Sequence, residues 1–435
     1  MVPFENLEGI IMVRATVRKT DGRDTTGVLV LDTGAGYLAM DQEFARGIGI
    51  ENAKGPAPGG HDSDEAPKPA IGIADRPLPR LEIGGLQFDQ VSPVLTIDGS
   101  IIRQVTDRPV FGLLGARPIT AFAVVVDYQR KELGFIPMTV SGASDPKDSD
   151  PTRGNGFTAE KTLRESEDSR ANRDLRIQAS RSALGDAING GARPVAFRLR
   201  GDDKILVSVR VANPHVGSMS DTLTLIVDTG ATKTALFGAG LAGKAPQFEQ
   251  WRTLRGLTAP TLVGSAEASI ARLPVIEVLM DSAHVSTRDI DAAIIESPLA
   301  PALAADVGEP VHGLLGYSFL RRFRMVIDYP HRVLWLESIP HAKDERPNEY
   351  SHVGLQLERR GDALSVVGVA HGSPAAVAGI ERSDELVAID GTPAAMLDVI
   401  SASRRLEGPA GTTVVLRVRR GDAARVLRLQ RRRLL

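Results

Sequence analysis

The sequence contains no cysteine. That excludes structural disulfides, thiolate nucleophiles and zinc or iron–sulfur centres ligated by Cys, and it leaves the redox compartment open. Aromatic residues make up only 4% of the 435 residues, so the cores must rest on Val, Leu, Ile and Ala. An excess of one charge is also missing. Basic side chains number 52 and acidic ones 54, for a net charge of -2, whereas a dedicated nucleic-acid binder carries a basic excess. No apolar run approaches the roughly 20 residues of a membrane span. The segment Met1-Val2-Pro3-Phe4-Glu5 has no basic stretch leading into a hydrophobic one, so no signal peptide is expected in the chain as it stands. What the chain has in quantity is glycine, 43 residues, and proline, 27, which favours turns between short strands over long helices. At roughly 100–200 residues per domain, its length suggests two to four domains.

The chain repeats itself. Val28-Leu29-Val30-Leu31-Asp32-Thr33-Gly34-Ala35 has a counterpart in Leu225-Ile226-Val227-Asp228-Thr229-Gly230-Ala231. Each is an apolar strand that runs into Asp-Thr-Gly-Ala. Later in each unit, Gly112-Leu113-Leu114-Gly115 leads to Val124-Val125-Val126-Asp127-Tyr128, and Gly313-Leu314-Leu315-Gly316 leads to Met325-Val326-Ile327-Asp328-Tyr329. Asp32 to Gly112 is 80 residues and Asp228 to Gly313 is 85, while the second interval, from Gly112 to Asp127 and from Gly313 to Asp328, is 15 in both. Two ordered sets at nearly equal spacing mark an internal duplication. The organisation expected is a first β-rich unit over 1–140, a polar and charged linker over 141–189, a second β-rich unit over 190–340 and a further domain over 350–431. Within the linker, 160–184 is dense in Glu, Arg, Lys and Ala and reads as an exposed helix in a spacer. The Pro-rich polar stretch 54–70 reads as a loop.

A carboxylate at the end of a buried strand is costly unless it is hydrogen-bonded, and the glycine beside it lets backbone approach closely. Two copies in one chain permit a pseudo-twofold arrangement in which Asp32 and Asp228 face each other. Carboxylates a few Å apart share one proton, and their titration belongs to the pair. The ionised partner can draw a proton from a bound water while the protonated partner hydrogen-bonds a substrate carbonyl. The expected reaction is water attack on a peptide bond through a gem-diol, with no metal and no cofactor. Asp127 and Asp328, each before a Tyr, are expected to shape turns, and Tyr128 and Tyr329 to pack.

These motifs resemble the bacterial retroviral-type aspartic proteases, over most of 1–140 and 190–340. The resemblance implies a mainly β fold of two retropepsin-like β-barrel lobes forming a pseudo-twofold, single-chain aspartic endopeptidase. It makes Asp32 and Asp228 the catalytic dyad. Thr33, Gly34, Thr229 and Gly230 become the active-loop supports, and Gly115 and Gly316 part of the element crossing beneath each loop. It also implies a substrate-covering flap, which by position falls in 57–75 and 258–270; neither window contains an aromatic residue. The first unit departs from the pattern at Tyr37 and at Ala116-Arg117-Pro118-Ile119-Thr120, where the second has a helix-forming segment.

The last domain resembles a bacterial PDZ domain of the sort appended to periplasmic proteases, through Val353-Gly354-Leu355-Gln356-Leu357, Gly372-Ser373-Pro374-Ala375-Ala376 and Leu386-Val387-Ala388-Ile389-Asp390-Gly391. The resemblance implies that a peptide adds as a strand beside Gly354, Leu355, Gln356 and Leu357, against a helix near 396–406, with its terminal carboxylate held by backbone amides. The partners expected are protein or peptide substrates and a C-terminal peptide ligand, with no nucleic acid and no transmembrane segment. The PDZ–protease pairing favours an exported or periplasmic location. Two alternatives stand beside this reading: a catalytically degenerate peptide-binding scaffold, and a protease whose dyads form between two chains.

Overall fold

The structure, a computed structural model, describes residues 1–52, 71–100, 102–103, 108–138, 169–212, 218–241, 244–245, 251, 253–261, 264–281, 283–296, 299–340, 346–361 and 363–435. The loop expected at 54–70, the first part of the linker and most of the first flap window lie outside these residues.

In the first unit the strands used below are β1 (Val2–Leu7), β2 (Ile10–Arg18), β3 (Asp24–Leu31), β4 (Leu38–Asp41), β5 (Gly112–Leu114), β6 (Phe122–Asp127) and β7 (Glu132–Pro137). Helix α1 (Arg170–Leu184) follows, then β8 (Arg193–Ala196). The second unit has β9 (Lys204–Val211), β10 (Leu223–Val227), β11 (Thr234–Phe237), β12 (Thr253–Thr261), β13 (Gly264–Leu279), β14 (His284–Glu296), β15 (Gly313–Leu315), the short helix α2 (Tyr317–Leu320), β16 (Phe323–Asp328) and β17 (Val333–Ser338). The last domain contributes β18 (Leu355–Arg360), β19 (Ala363–Val369), β20 (Glu385–Ile389), α3 (Val399–Leu406), β21 (Thr413–Arg420) and β22 (Ala423–Gln430).

The duplication is visible in the pairing. β3 runs parallel to β5, with Leu31 opposite Leu114, and β10 runs parallel to β15, with Val227 opposite Leu315. In each unit the strand after the Asp-Thr-Gly loop then pairs antiparallel with the Gly-Leu-Leu strand, β4 with β5 and β11 with β15. The aspartate therefore leaves the end of a buried strand hydrogen-bonded on both sides.

Two separate barrel lobes are not what forms. One 14-stranded sheet holds strands of both units, in the order β8-β17-β16-β6-β7-β1-β2-β3-β5-β4 along its main path, and an 8-stranded sheet completes the second unit. The join is the antiparallel pairing of β6 with β16, Val125 opposite Val326. The physical reason is in the residues. Phe-Ala-Val-Val-Val-Asp and Phe-Arg-Met-Val-Ile-Asp are buried along nearly their whole lengths. Strands this apolar cannot remain as open edges, and pairing with each other satisfies both sets of backbone groups. The largest core is accordingly shared, with Val13, Leu31 and Val126 of the first unit in the same cluster as Val209, Val227 and Phe319 of the second.

Helix α1 lies within the segment where an exposed helix is expected; most of its residues are exposed, and Ser180 and Leu184 are buried. Ser169 caps it by accepting from Asn172 N at 3.3 Å. Its Leu184 is buried with Ala123, Val125, Val326 and Trp335, so the helix covers the outer face of the join. Ser180 Oγ donates to Asp328 Oδ2 at 2.6 Å and accepts from Trp335 Nε1 at 2.9 Å. Ser180, Asp328 and Trp335 are all fully buried. The last domain has its own core around Val353, Leu364, Leu386, Ala402 and Leu416, and a sheet ordered β18-β19-β20-β21-β22.

Substituting Ser180→Ala leaves the Trp335 N–H without its acceptor and Asp328 without one of its donors. The expected cost is about 1–3 kcal/mol, read as a lower urea midpoint at unchanged slope. An unaltered midpoint would show that α1 does not depend on this bond.

Candidate functional site

Asp32 and Asp228 follow directly on β3 and β10. The Asp32 amide donates to Leu114 O at 3.0 Å and the Asp228 amide to Leu315 O at 3.1 Å. The next residue in each loop ties the two units together. Thr33 N donates to Thr229 Oγ1 and Thr229 N donates to Thr33 Oγ1, both at 3.1 Å. Each hydroxyl also donates across the junction, Thr33 Oγ1 to Val227 O at 2.8 Å and Thr229 Oγ1 to Leu31 O at 2.9 Å. Both threonines are completely buried.

This lock brings the carboxyl groups together within one chain. Asp32 Oδ1 accepts from Gly34 N at 2.9 Å and Ala35 N at 3.2 Å, and Asp228 Oδ1 accepts from Gly230 N at 2.8 Å and Ala231 N at 3.1 Å. Each loop glycine lies against the opposite carboxyl group. A Cβ on Gly34 would stand 2.7 Å from Asp228 Cγ, and one on Gly230 would stand 2.7 Å from Asp32 Cγ. A side chain at either position would push the pair apart. Gly115 and Gly316 lie beneath the loops, against the carbonyls of Tyr37 and Lys233 respectively.

The electrostatics are asymmetric. Burial, the charge of Asp32 and the hydrogen bond to Asp32 together push Asp228 well above the usual carboxylate range. Burial also raises Asp32, but the bond from Asp228, the amides of Gly34 and Ala35 and the charge of Lys204 oppose that rise. The two groups titrate as a pair that keeps a proton to higher pH than a free carboxyl group does, with Asp228 the more strongly raised. This suits Asp32 to accept a proton from water and Asp228 to hydrogen-bond a carbonyl. Sequence reasoning missed Lys204, whose ammonium is buried between Asp306 at 2.6 Å and Asp202 at 3.7 Å.

The remaining candidates fall outside this centre. Asp127 Oδ1 accepts from Gln129 N at 3.0 Å and Arg130 N at 2.9 Å, closing a turn. Asp328 Oδ1 accepts from His331 N at 3.1 Å in the matching place. Tyr128 and Tyr329 are buried. In the last domain β18 is an edge strand with α3 packed beside it. Leu355 and Leu357 are buried in the core that α3 shares, whereas Gln356 turns away and bonds Thr258. The Gly354 amide donates to His352 Nδ1 at 3.0 Å. Burial and the charge of Arg346 pull His352 down to about 4, which keeps that nitrogen neutral and able to accept. Among the described residues no group of three or more His, Asp and Glu is placed to hold a metal ion, and no helix is long and apolar enough to cross a membrane.

Residues 365–420 match the family model described as PDZ domain. The PDZ domain is a peptide- and substrate-binding module. Curated relatives are carboxyl-terminal-processing proteases. The one from Picosynechococcus is 33% identical over 120 residues, 26% of this chain and 29% of the relative. A carboxyl-terminal-processing peptidase of Arabidopsis thaliana is 40% identical over 70 residues, 16% of this chain and 14% of the relative. The chain thus spans less than a third of the length of the relatives it matches. Among solved structures, an aspartic proteinase from Irpex lacteus covers 79% of this chain and 98% of its own at 13% identity and a TM-score of 0.40; at that score the likeness decides nothing.

The protease kinship these relatives report is carboxyl-terminal-processing, not the retroviral-type aspartic family that the motifs imply. That family, with the aspartic-endopeptidase and retropepsin-like description drawn from it, is corrected accordingly. The paired carboxyl groups themselves are a feature of the structure.

Asp228 has a consequence for stability. A carboxyl group raised on folding stabilises the folded state below its unfolded value, about 3.9 for Asp, and that contribution is lost as pH rises through the folded value. Asp228→Asn removes the penalty. Its Tm should match the wild type below about pH 4 and exceed it increasingly towards pH 8. A constant difference across that range would contradict the raised titration of Asp228.

Proposed function

We propose that the chain is a peptidase in which the PDZ domain docks substrate peptides and the Asp32–Asp228 pair is the reaction centre. The protease names of the curated relatives support the peptidase class. The observation that carries the site is the geometry: the Thr33–Thr229 lock holds Gly34 against the Asp228 carboxyl group and Gly230 against that of Asp32, so the two carboxyl groups meet. In this reading Asp32 takes a proton from a water held between the carboxyl groups, and the resulting oxygen attacks the peptide carbonyl. Asp228 gives its proton to the carbonyl oxygen. The tetrahedral diol collapses as the C–N bond breaks: one diol hydroxyl returns its proton to Asp228, which leaves the carboxylic acid, and the leaving nitrogen takes up the proton held by Asp32. The buried, water-poor setting strengthens each of these interactions.

A serine nucleophile assisted by a lysine is the second reading, favoured by the carboxyl-terminal-processing kinship. A lysine that acts as base needs a lowered pKa. Two lysines of the second unit are held in ion pairs instead. Lys204 is paired with Asp306 at 2.6 Å, and Lys233, paired with Glu349, is raised by the charges of Tyr350 and Glu349 against the effect of burial.

Turnover of a fluorescein-labelled unfolded protein separates the two. Asp32→Asn and Asp228→Asn should each lower kcat/KM by on the order of 100-fold or more, as loss of a general acid or base does, and a serine-directed phosphonate should leave the wild type active. Full activity in both variants with inactivation by the phosphonate would replace the carboxyl pair with the serine centre.

A further inference from the structure

The PDZ groove is built into the body of the protein through both of its walls. On the strand wall, side chains alternate along β18. Leu355 and Leu357 are buried on the side of α3, and Gln356 reaches the opposite way onto β12. The Gln356 amide pairs with the backbone of Thr258 as another strand would. Its Oε1 accepts from Thr258 N at 2.9 Å, and its Nε2 donates to Thr258 O at 2.7 Å. Beside it, His371 N donates to Arg255 O at 2.9 Å.

Both strands are irregular at this contact. β18 slips register between Gln356 and Leu357, and β12 slips between Leu254 and Leu257. Bulges of this kind re-aim side chains and terminate ordinary pairing. Close approach also needs glycine. Gly256 has φ +88°, and a Cβ there would stand 2.4 Å from Val369 O. A Cβ on Gly368 would stand 2.6 Å from Gln356 Oε1.

The helix wall is tied by charge. Arg404 of α3 bonds Glu8 at 2.7 Å. Arg346 bonds both Glu8 and Glu407. Arg346 also lies 3.6 Å from Glu349, which holds Lys233, five residues beyond Asp228. Glu8, Lys233, Arg346, Glu349 and Arg404 line a cavity of about 250 Å³ between α3 and the segment after the Asp228 loop.

A peptide added to the open edge of β18 would lie between that strand and α3. We propose that docking of a peptide with a free C-terminal carboxylate in the PDZ groove is coupled through Gln356 to the β12–β13 hairpin, so that occupancy of the groove orders the hairpin. The hairpin includes the second flap window, 258–270, apart from 262–263, which lie outside the described residues. The inference rests on peptide docking in the groove but not on the chemistry at Asp32 and Asp228.

The test uses the full chain and a fluorescein-labelled decapeptide ending in Leu with a free carboxylate, with its C-terminal amide as control. Anisotropy reads docking, and hydrogen–deuterium exchange reads the hairpin. The acid peptide at saturation should slow amide exchange over 253–261 by on the order of threefold or more, and the amide should do neither. Gly256→Val drives a side chain against Val369 O, and Thr258→Pro removes the donated N–H. In whichever of these melts cooperatively by circular dichroism, the peptide should still bind and the exchange should no longer respond. No binding of the acid peptide to the wild type removes the docking reading and the coupling with it. Binding with unchanged hairpin exchange overturns the coupling alone. A wild-type response in a folded variant overturns the route through Gln356.

Discussion

The reciprocal hydrogen bonds between Thr33 and Thr229 set the conditions for the rest of the molecule. Each hydroxyl accepts from the other loop's backbone and donates to the carbonyl before the other aspartate. With both residues completely buried, any partner left unmade would cost about 1–3 kcal/mol, so the two loops hold one separation. That separation puts Gly34 against Asp228 and Gly230 against Asp32. The contact of the carboxyl groups, and hence the raised titration of the pair, follows from it.

The lock would be strained if the units behind it could drift. The pairing of β6 with β16 opposes this, because it joins strands of both units in the sheet that holds β3, beside the 8-stranded sheet that holds β10. Helix α1 then covers that join with Ser180, which satisfies Trp335 and Asp328 together. The PDZ domain is attached to the same frame. Leu434 and Leu435 pack into the cluster of Leu206, Ile226 and Phe237 in the second unit, and the Glu8–Arg346–Glu407 contacts hold α3 from the other side.

Much of the candidate site was legible because its signals are local. Asp-Thr-Gly after an apolar strand, twice, at matched distances from Gly-Leu-Leu-Gly, locates Asp32, Asp228, Thr33 and Thr229 without coordinates. Asp127 and Asp328 were also legible as turn residues, since a carboxylate at a strand end readily accepts from the amides of the turn. Three things were not legible. Lys204 approaches Asp32 only through tertiary packing. The spacer composition of α1 hid the small buried face that holds Ser180. Gln356 looked like part of the peptide groove, and a register slip turns it to the hairpin. Short motifs were a poor guide to kinship. They implied one protease family, and the curated relatives, matched over segments of 70 to 120 residues, report another.

The sequence by itself determined the repeat, the chemical character of the paired loops and the separate PDZ core, because each depends on residue types at short range. Whether two loops 196 residues apart would meet, whether the units would close separately or share a sheet, and which way Gln356 would face were decided only by the tertiary structure. Those outcomes depend on which buried backbone and side-chain groups find partners across the chain, and no local pattern records that.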